Sequence, residues 1–248
     1  KTRDKLIAMG MEDVWLREYM AIFVKGGKRS IFPWILKQTF PSFDEVKPKD
    51  INKWTLVVCL DPASTSVFGA VFFIFNPYSK QIIVFDELYI TEPAMMTAKE
   101  IHRAMNEKLE PLRSNIKTIE YVYDEAAAWF RNEITEIDSS LWLTPSKKAS
   151  FGVDGYINLV RNVMHSGLVT ICKEAPKLIW ELESYIKDEK GKVPKRDDHN
   201  INAFQYGLGS LGLDFSEKIE PKLIDKEPRR AYRINEDMNI GNEYAEFD

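Results

Sequence analysis

The order of strand and helix patterns between residues 54 and 211 limits the possible folds more than any other feature of this sequence. Apolar runs rich in β-branched and aromatic residues come first, at Trp54–Leu60, Val67–Phe75 and Gln81–Glu87. The connections between them are short, and Asn76-Pro77-Tyr78-Ser79 is typical of a hairpin turn. Because tight turns join antiparallel strands, the three runs predict a meander.

Beyond Glu87, helical spacing alternates with short apolar runs. The predicted helices are Thr97–Leu112, a segment ending at Ile137, Val153–Met164, Pro176–Ile186 and a last one from about Asp198 to Leu211. The predicted strands are Thr118–Tyr123, Leu141–Leu143 and Leu168–Cys172. Parallel strands need such a helical return. The order β-β-β-α-β-α-β-α therefore predicts an α/β fold of the RNase H-like class, a mixed sheet flanked by helices on both faces.

The composition fits one folded domain with flanking segments. Of the 248 residues, 44% are hydrophobic, which is enough for a sizeable core. We assign residues 1–50 to a linker or approach segment, residues 51–213 to the RNase H-like domain and residues 214–248 to a flexible polar tail.

The cysteines and the hydropathy pattern bear on the compartment. Cys59 and Cys172 both lie in apolar runs, which favours buried free thiols and a reducing compartment, and two cysteines are too few for a Cys-only metal site. No apolar run approaches the length that spans a bilayer, and no signal peptide is visible. We therefore expect a soluble, cytoplasmic protein.

Three aspartates carry the chemical prediction. Asp61 ends the most hydrophobic run, Asp124 follows the run that ends at Tyr123, and Asp198 opens the last helix. Adjacent parallel strands that end in Asp place both carboxylates at one edge of the sheet, and a helix that starts nearby can add a third. Hydrolysis of a phosphodiester by two divalent ions needs carboxylates around metals that lie about 4 Å apart. The three aspartates are therefore the predicted catalytic metal ligands, for Mg²⁺ or Mn²⁺.

Each of these acids also has a structural interpretation. Asp61 precedes Pro62 and suits a turn, while Asp124 and the Asp197-Asp198 pair suit helix N-caps. Glu87 ends the third run, where it either supports the site, by acting on water or a second metal, or serves the hydrogen bonding of the fold.

Basic residues supply candidate DNA contacts. The net charge of −4 counts mildly against nucleic acid binding, but Lys and Arg crowd the stretch from residue 147 to residue 196. Lys147, Lys148, Lys195 and Arg196 are predicted to contact phosphates, which holds DNA without reading its sequence. The alternative for these residues is a solvated charged turn or loop.

Several short motifs follow one another along residues 54–211. They are Leu60-Asp61-Pro62-Ala63, Val84-Phe85-Asp86-Glu87-Leu88-Tyr89, Tyr123-Asp124-Glu125-Ala126, Lys147-Lys148 before Gly155-Tyr156-Ile157, Glu181 with Tyr185, and Asp198-His199-Asn200-Ile201-Asn202-Ala203-Phe204-Gln205-Tyr206. In this order they resemble the nuclease domain of the large terminase subunit of tailed bacteriophages, within the RNase H-like and RuvC-like nuclease superfamily. The segment Asp13–Phe40 is similar to the part that joins ATPase to nuclease in that family.

The resemblance implies a Mg²⁺- or Mn²⁺-dependent endonuclease that cuts concatemeric double-stranded DNA during viral genome packaging in the host cytoplasm. The implied partners are double-stranded DNA, an ATPase domain in the full-length protein, the portal and the small terminase subunit. By position, Asp61 and Asp124 match the first two metal ligands of the family.

The third ligand departs from the family pattern. Many members carry His-x-x-Asp-Ala where this chain has His199-Asn200-Ile201-Asn202-Ala203, and others use an Asp-Asp pair, which Asp197-Asp198 matches. We take Asp198 as the third ligand, with Asn202, His199 and Asp197 as further candidates.

Two other functions stay open. The same fold suits a resolvase-like or transposase-like nuclease, which a preference for substrate shape would reveal. Asn202 and the acidic balance favour a weakened or non-catalytic module of a packaging motor. No Gly-x-x-x-x-Gly-Lys-Ser/Thr motif occurs, and Gly26-Gly27-Lys28 lacks the upstream glycine, so we expect no ATPase activity in this chain.

Overall fold

A six-stranded mixed sheet forms the centre of the computed structural model, which describes residues 30–33, 35, 38–188, 192–193 and 197–213. The strands are β1 (Thr55–Asp61), β2 (Phe68–Phe75), β3 (Ile82–Ile90), β4 (Thr118–Tyr123), β5 (Leu143–Pro145) and β6 (Val169–Ile171). They lie in the order β5-β4-β1-β2-β3-β6.

Helices and short 3-10 turns connect and cover these strands. The α-helices are α1 (Phe43–Val46), α2 (Ala98–Arg113), α3 (Ala128–Ile137), α4 (Lys148–His165), α5 (Pro176–Ser184) and α6 (His199–Ser210). The 3-10 turns are Ile51–Lys53, Pro93–Met95 and Glu125–Ala127. The start of α2 is fixed by a capping box, in which the side chains of Thr97 and Glu100 each accept a hydrogen bond from the other residue's backbone N–H.

The pairing of the strands confirms the predicted RNase H-like α/β fold. Strands β1, β2 and β3 form an antiparallel meander, in which Asp61 lies opposite Gly69. Strand β4 pairs with β1 in parallel, and β5 pairs with β4 in parallel, so helical connections return the chain to the same edge. The carboxyl ends of β1 and β4 therefore meet at one edge of the sheet.

Apolar residues alternate along β1 and divide the core into two layers. Val57 and Cys59 point into the layer built with α4, α5 and α6, whereas Leu56, Val58 and Leu60 point into the layer built with α2 and α3. Both cysteines are free and buried. Because each face of the sheet is covered by helices, β1 and β2 are apolar along almost their whole length.

Helix α6 lies directly on the sheet, and glycines make this close approach possible. Nine of its twelve residues are buried. A Cβ atom added at Gly207 would come within 2.8 Å of Phe73, and one added at Gly69 would come within 2.9 Å of the backbone of His199. The first turn of α6 is therefore held against β2, next to the end of β1.

Some boundaries differ from the sequence prediction for identifiable reasons. Strand β3 continues three residues past Glu87, to Ile90. Helix α4 begins at Lys148 rather than Val153, because two helical stretches meet at Gly152, whose φ of 61° interrupts the helix. Helix α5 ends at Ser184 rather than Ile186, since Ile186 forms an antiparallel bridge with Ser30.

The short strand at the β5 edge of the sheet is shifted as well. Strand β5 covers Leu143–Pro145, whereas the sequence predicted Leu141–Leu143. Its partner β4 sets this register, because Tyr121 aligns with Leu143 and Tyr123 aligns with Pro145.

Part of the segment assigned to a linker packs on the domain. Ile31, Phe32 and Ile35 are buried in the layer with α4 and α5, and the Ile31 N–H donates to the carbonyl of Tyr185 at 2.9 Å. Residues 1–29 of that segment and the tail, residues 214–248, lie outside the described residues, so the domain boundaries stay a prediction. Among the described helices, none is long and apolar enough to cross a membrane.

Candidate active site

A pair of buried aspartates lies at the carboxyl ends of β1 and β4. Leu60 aligns with Tyr123 across the two strands, and the Asp124 N–H donates to the carbonyl of Leu60 at 3.1 Å, so Asp61 and Asp124 are lateral neighbours. Asp61 is 9% exposed and Asp124 is 8% exposed. Burial raises the pKa of Asp61, and the charge of Asp124 raises it further. Two buried carboxylates side by side are stabilised by a cation.

The Asp124 carboxylate is fully engaged. Its Oδ1 accepts a hydrogen bond from the Ala126 N–H at 3.1 Å, which is the N-cap role that the sequence left open. Its Oδ2 receives the Lys148 ammonium at 2.8 Å and the Tyr206 hydroxyl at 3.1 Å. The ammonium and the hydroxyl are themselves 3.0 Å apart. One oxygen thus serves the local fold, while the other faces a small polar cluster.

Asp61 is held from the opposite side by α6. The Oδ2 of Asp61 lies 3.0 Å from Nδ1 of His199, the first residue of that helix. This hydrogen bond raises the pKa of His199, because the carboxylate stabilises the imidazolium. Asp61 therefore makes a specific side-chain contact in addition to ending a strand before Pro62.

Asp198 lies near this pair without joining it in a closed cluster. It occupies the N-cap position of α6, yet its side chain makes no capping hydrogen bond. Burial raises the pKa of Asp198; the charge of His199 lowers it, and the charge of Asp61 raises it. Asn202 follows one turn later, and its side-chain hydrogen bond lowers the pKa of Asp198. Asp197 is exposed, with a φ of 50°.

Glu87 follows the hydrogen-bonding alternative. The side chain is buried inside β3, and its two oxygens accept hydrogen bonds from the N–H groups of Lys177 at 2.6 Å and Leu178 at 2.8 Å. The side-chain amide of Asn200 donates to the same carboxylate at 2.8 Å. Glu87 therefore joins the start of α5 to the start of α6, and acts on the fold around the site.

The four predicted DNA contacts separate into different situations. Lys148 turns toward Asp124, whereas Lys147 is exposed at the N-cap position of α4. Lys195 and Arg196 lie outside the described residues, so a phosphate contact from them stays a prediction.

Tyr206 and Glu181 have no assigned role in the sequence prediction, although both lie close to the aspartates. Glu181 is completely buried in α5, where its Oε2 accepts a hydrogen bond from the Ile201 N–H at 2.8 Å. Burial raises the pKa of Glu181 to about 8. The spacing of Leu178, Glu181 and Leu182 was an available signal, because positions i, i+3 and i+4 share one face of a helix.

The donor set suits a hard divalent cation. Carboxylate oxygens are the ligands that Mg²⁺ prefers, and Mg²⁺ keeps several waters rather than filling a protein cage. The Lys148 ammonium already acts as a stand-in cation on Asp124. Within the described part of residues 30–213, no three His, Cys, Asp or Glu side chains converge on a metal site. The Asp61–Asp124 pair thus fits one ion, while a second would need a further carboxylate such as Asp198.

A six-stranded mixed sheet with this strand order, covered by helices on both faces and carrying an aspartate pair where β1 and β4 end, defines an RNase H-like nuclease-type fold. No protein-family model matches the sequence, and no curated protein matches it. Solved structures do match.

Two of these structures are large terminase proteins of bacteriophages. The large terminase of a thermophilic bacteriophage superposes with a TM-score of 0.59 and 17% identity over 75% of this chain, which covers 46% of that protein. The P22 large terminase nuclease domain superposes with a TM-score of 0.54 and 14% identity, over 74% of this chain and 93% of that domain. The chain thus has the fold of a large terminase nuclease domain, and its match spans less than half of the thermophilic phage protein.

Proposed function

We propose that this chain is a divalent-metal-dependent endonuclease that hydrolyses double-stranded DNA, and that it serves viral genome packaging as the nuclease part of a large terminase. One observation carries the proposal. In a terminase nuclease fold, the buried carboxylates of Asp61 and Asp124 lie side by side at the ends of parallel strands. Fold likeness alone would leave the function open, since one fold hosts many activities.

The residues around the pair have distinct roles in this proposal. Asp61 and Asp124 would hold a Mg²⁺ or Mn²⁺ ion, which supplies an activated water and neutralises charge that develops on the phosphate. His199 orients Asp61 through the 3.0 Å contact, and Tyr206 orients Asp124 through its hydroxyl. Positioning of this kind matters because partners of metal ligands fix their rotamers.

A second ion is the less complete part of the proposal. Asp198 is our candidate for its carboxylate, with Asn202, His199 and Asp197 as neighbours. The charge of Asp61 already raises the pKa of Asp198, which places the two carboxylates within electrostatic reach. The partners that follow from the terminase resemblance are an ATPase domain, the portal and the small terminase subunit.

The test is plasmid cleavage by the purified chain with Mg²⁺, with Mn²⁺ and with EDTA. The decisive variant is Asp61→Asn, which keeps the shape of the side chain and removes its charge. Asp154→Asn is the matched control, because Asp154 is an exposed aspartate of α4. We expect metal-dependent cutting that falls by more than about 100-fold in Asp61→Asn and is unchanged in the control.

Two results would contradict the proposal. Cutting that survives EDTA would exclude metal dependence. Absence of cutting by the folded wild type, with either metal, would favour a non-catalytic module of the packaging motor.

A further inference from the structure

Lys148 occupies the part of Asp124 that a metal ion would need. Its ammonium lies 2.8 Å from Oδ2 of Asp124 and 3.0 Å from the Tyr206 hydroxyl. The other oxygen, Oδ1, is already used by the Ala126 N–H. A divalent ion at the carboxylate pair would therefore meet Lys148 at the oxygen that faces the site.

Electrostatics explains why a cation stays at this position. Asp124 is 8% exposed and its neighbour Asp61 is 9% exposed, so their charges are poorly hydrated. The positive charge of Lys148 acts on both, since it also lowers the pKa of Asp61. Lys148 thus supplies part of the neutralisation that a bound ion would otherwise provide.

The side chain of Lys148 is also able to leave. It is 48% exposed, and its amine is the tip of a flexible chain rather than a group fixed by packing. Lys148 begins α4, and the turn that carries it is separated from the rest of that helix by the break at Gly152. Tyr206, in contrast, is 2% exposed and keeps its hydroxyl bond to Asp124 in place.

We propose that Lys148 is a placeholder cation: it binds Asp124 while no divalent ion is present, and it competes with that ion for Oδ2. This inference rests on the proposed function, because it takes the aspartate pair as the metal site. When two ligands exclude each other, each lowers the affinity of the other by the same factor. The site therefore binds its ion more weakly than its two aspartates alone would.

The experiment is a titration of the protein with Mn²⁺, in which electron paramagnetic resonance measures the free ion. No DNA is present, so the readout is independent of cleavage. The variants are Lys148→Met, which keeps the length of the side chain and removes the charge, and Lys147→Met, which makes the same charge change at the exposed neighbour. Lys148→Gln serves as a second neutral variant, and circular dichroism verifies that each protein is folded.

We expect Lys148→Met and Lys148→Gln to tighten Mn²⁺ binding by about tenfold, within the usual range of coupling between sites. Lys147→Met should change it by less than about twofold, since exposed charges are screened. Equal effects of the changes at Lys147 and Lys148 would overturn the proposal, because they would reflect net charge alone. Weaker binding after loss of Lys148 would overturn it as well.

A different result would locate the failure elsewhere. If wild type and Lys148→Met both bind no Mn²⁺, and Asp61→Asn behaves the same way, the aspartate pair is not a metal site. That outcome refutes the proposed function itself, and the placeholder with it. Binding that depends on Asp61 but not on Lys148 refutes only the placeholder.

Discussion

Glu181 makes the stability of the protein depend on pH in a way that a single substitution can isolate. The side chain is fully buried, one oxygen accepts a hydrogen bond from the Ile201 N–H, and the other has no partner. Burial disfavours the carboxylate, so the pKa of Glu181 rises from its ordinary value of 4.5 to about 8. The change to make is Glu181→Gln, which keeps the shape of the side chain and cannot ionise.

The magnitude follows from proton linkage. The folded state binds the Glu181 proton up to about pH 8, whereas the unfolded chain releases it near pH 4.5. Because the folded state binds more protons in this interval, its stability falls as the pH rises through it. Each pKa unit corresponds to about 1.4 kcal/mol, so wild type should lose about 3 kcal/mol relative to Glu181→Gln between about pH 5 and about pH 8.

The assay is urea unfolding at several pH values, followed by tryptophan fluorescence. The burial of Asp61, Glu87 and Asp198 raises their pKa values as well, so the quantity to compare is the difference between wild type and Glu181→Gln at each pH. Glu136→Gln is the matched control, because Glu136 is exposed on α3. A difference that stays constant over the whole interval would refute the reasoning, since it would mean that Glu181 titrates near its ordinary pKa.

Two further substitutions test how α6 is placed. Gly69→Ala should lower DNA cleavage at least about tenfold while the protein still folds, because the added Cβ meets the backbone of His199 at 2.9 Å and displaces the group that orients Asp61; unchanged cleavage would show that α6 adapts without cost. Asn202→Asp should tighten Mn²⁺ binding severalfold in the same titration, since it adds a carboxylate one turn after Asp198; unchanged affinity would exclude position 202 from the metal site.

The fold could be predicted from the sequence because its signals are local. The apolar runs that form β1, β2 and β4 end where polar or turn residues begin, and the predicted strand Thr118–Tyr123 has the same two bounds as the observed β4. The aspartates could be proposed for the same reason, since Asp61 ends a strand and Asp124 follows one directly.

The interactions that complete the site are non-local and carry no local signal. Lys148 contacts Asp124, which is 24 residues away, and the sequence leaves its direction open between solvent, phosphate and carboxylate. Tyr206 contacts the same oxygen from 82 residues away. The early start of α4 was also hidden, because the glycine at position 152 suggested a boundary rather than a junction between two helical stretches.

The position of α6 in the chain has a consequence for protein synthesis. This helix supplies His199 to Asp61, which lies 138 residues earlier, and Tyr206 to Asp124. A ribosome must therefore release the chain beyond residue 206 before both aspartates acquire their partners, even though the strands that carry them are made much earlier. The nascent protein has no completed site during translation, and a product that stops before α6 lacks the groups that orient it.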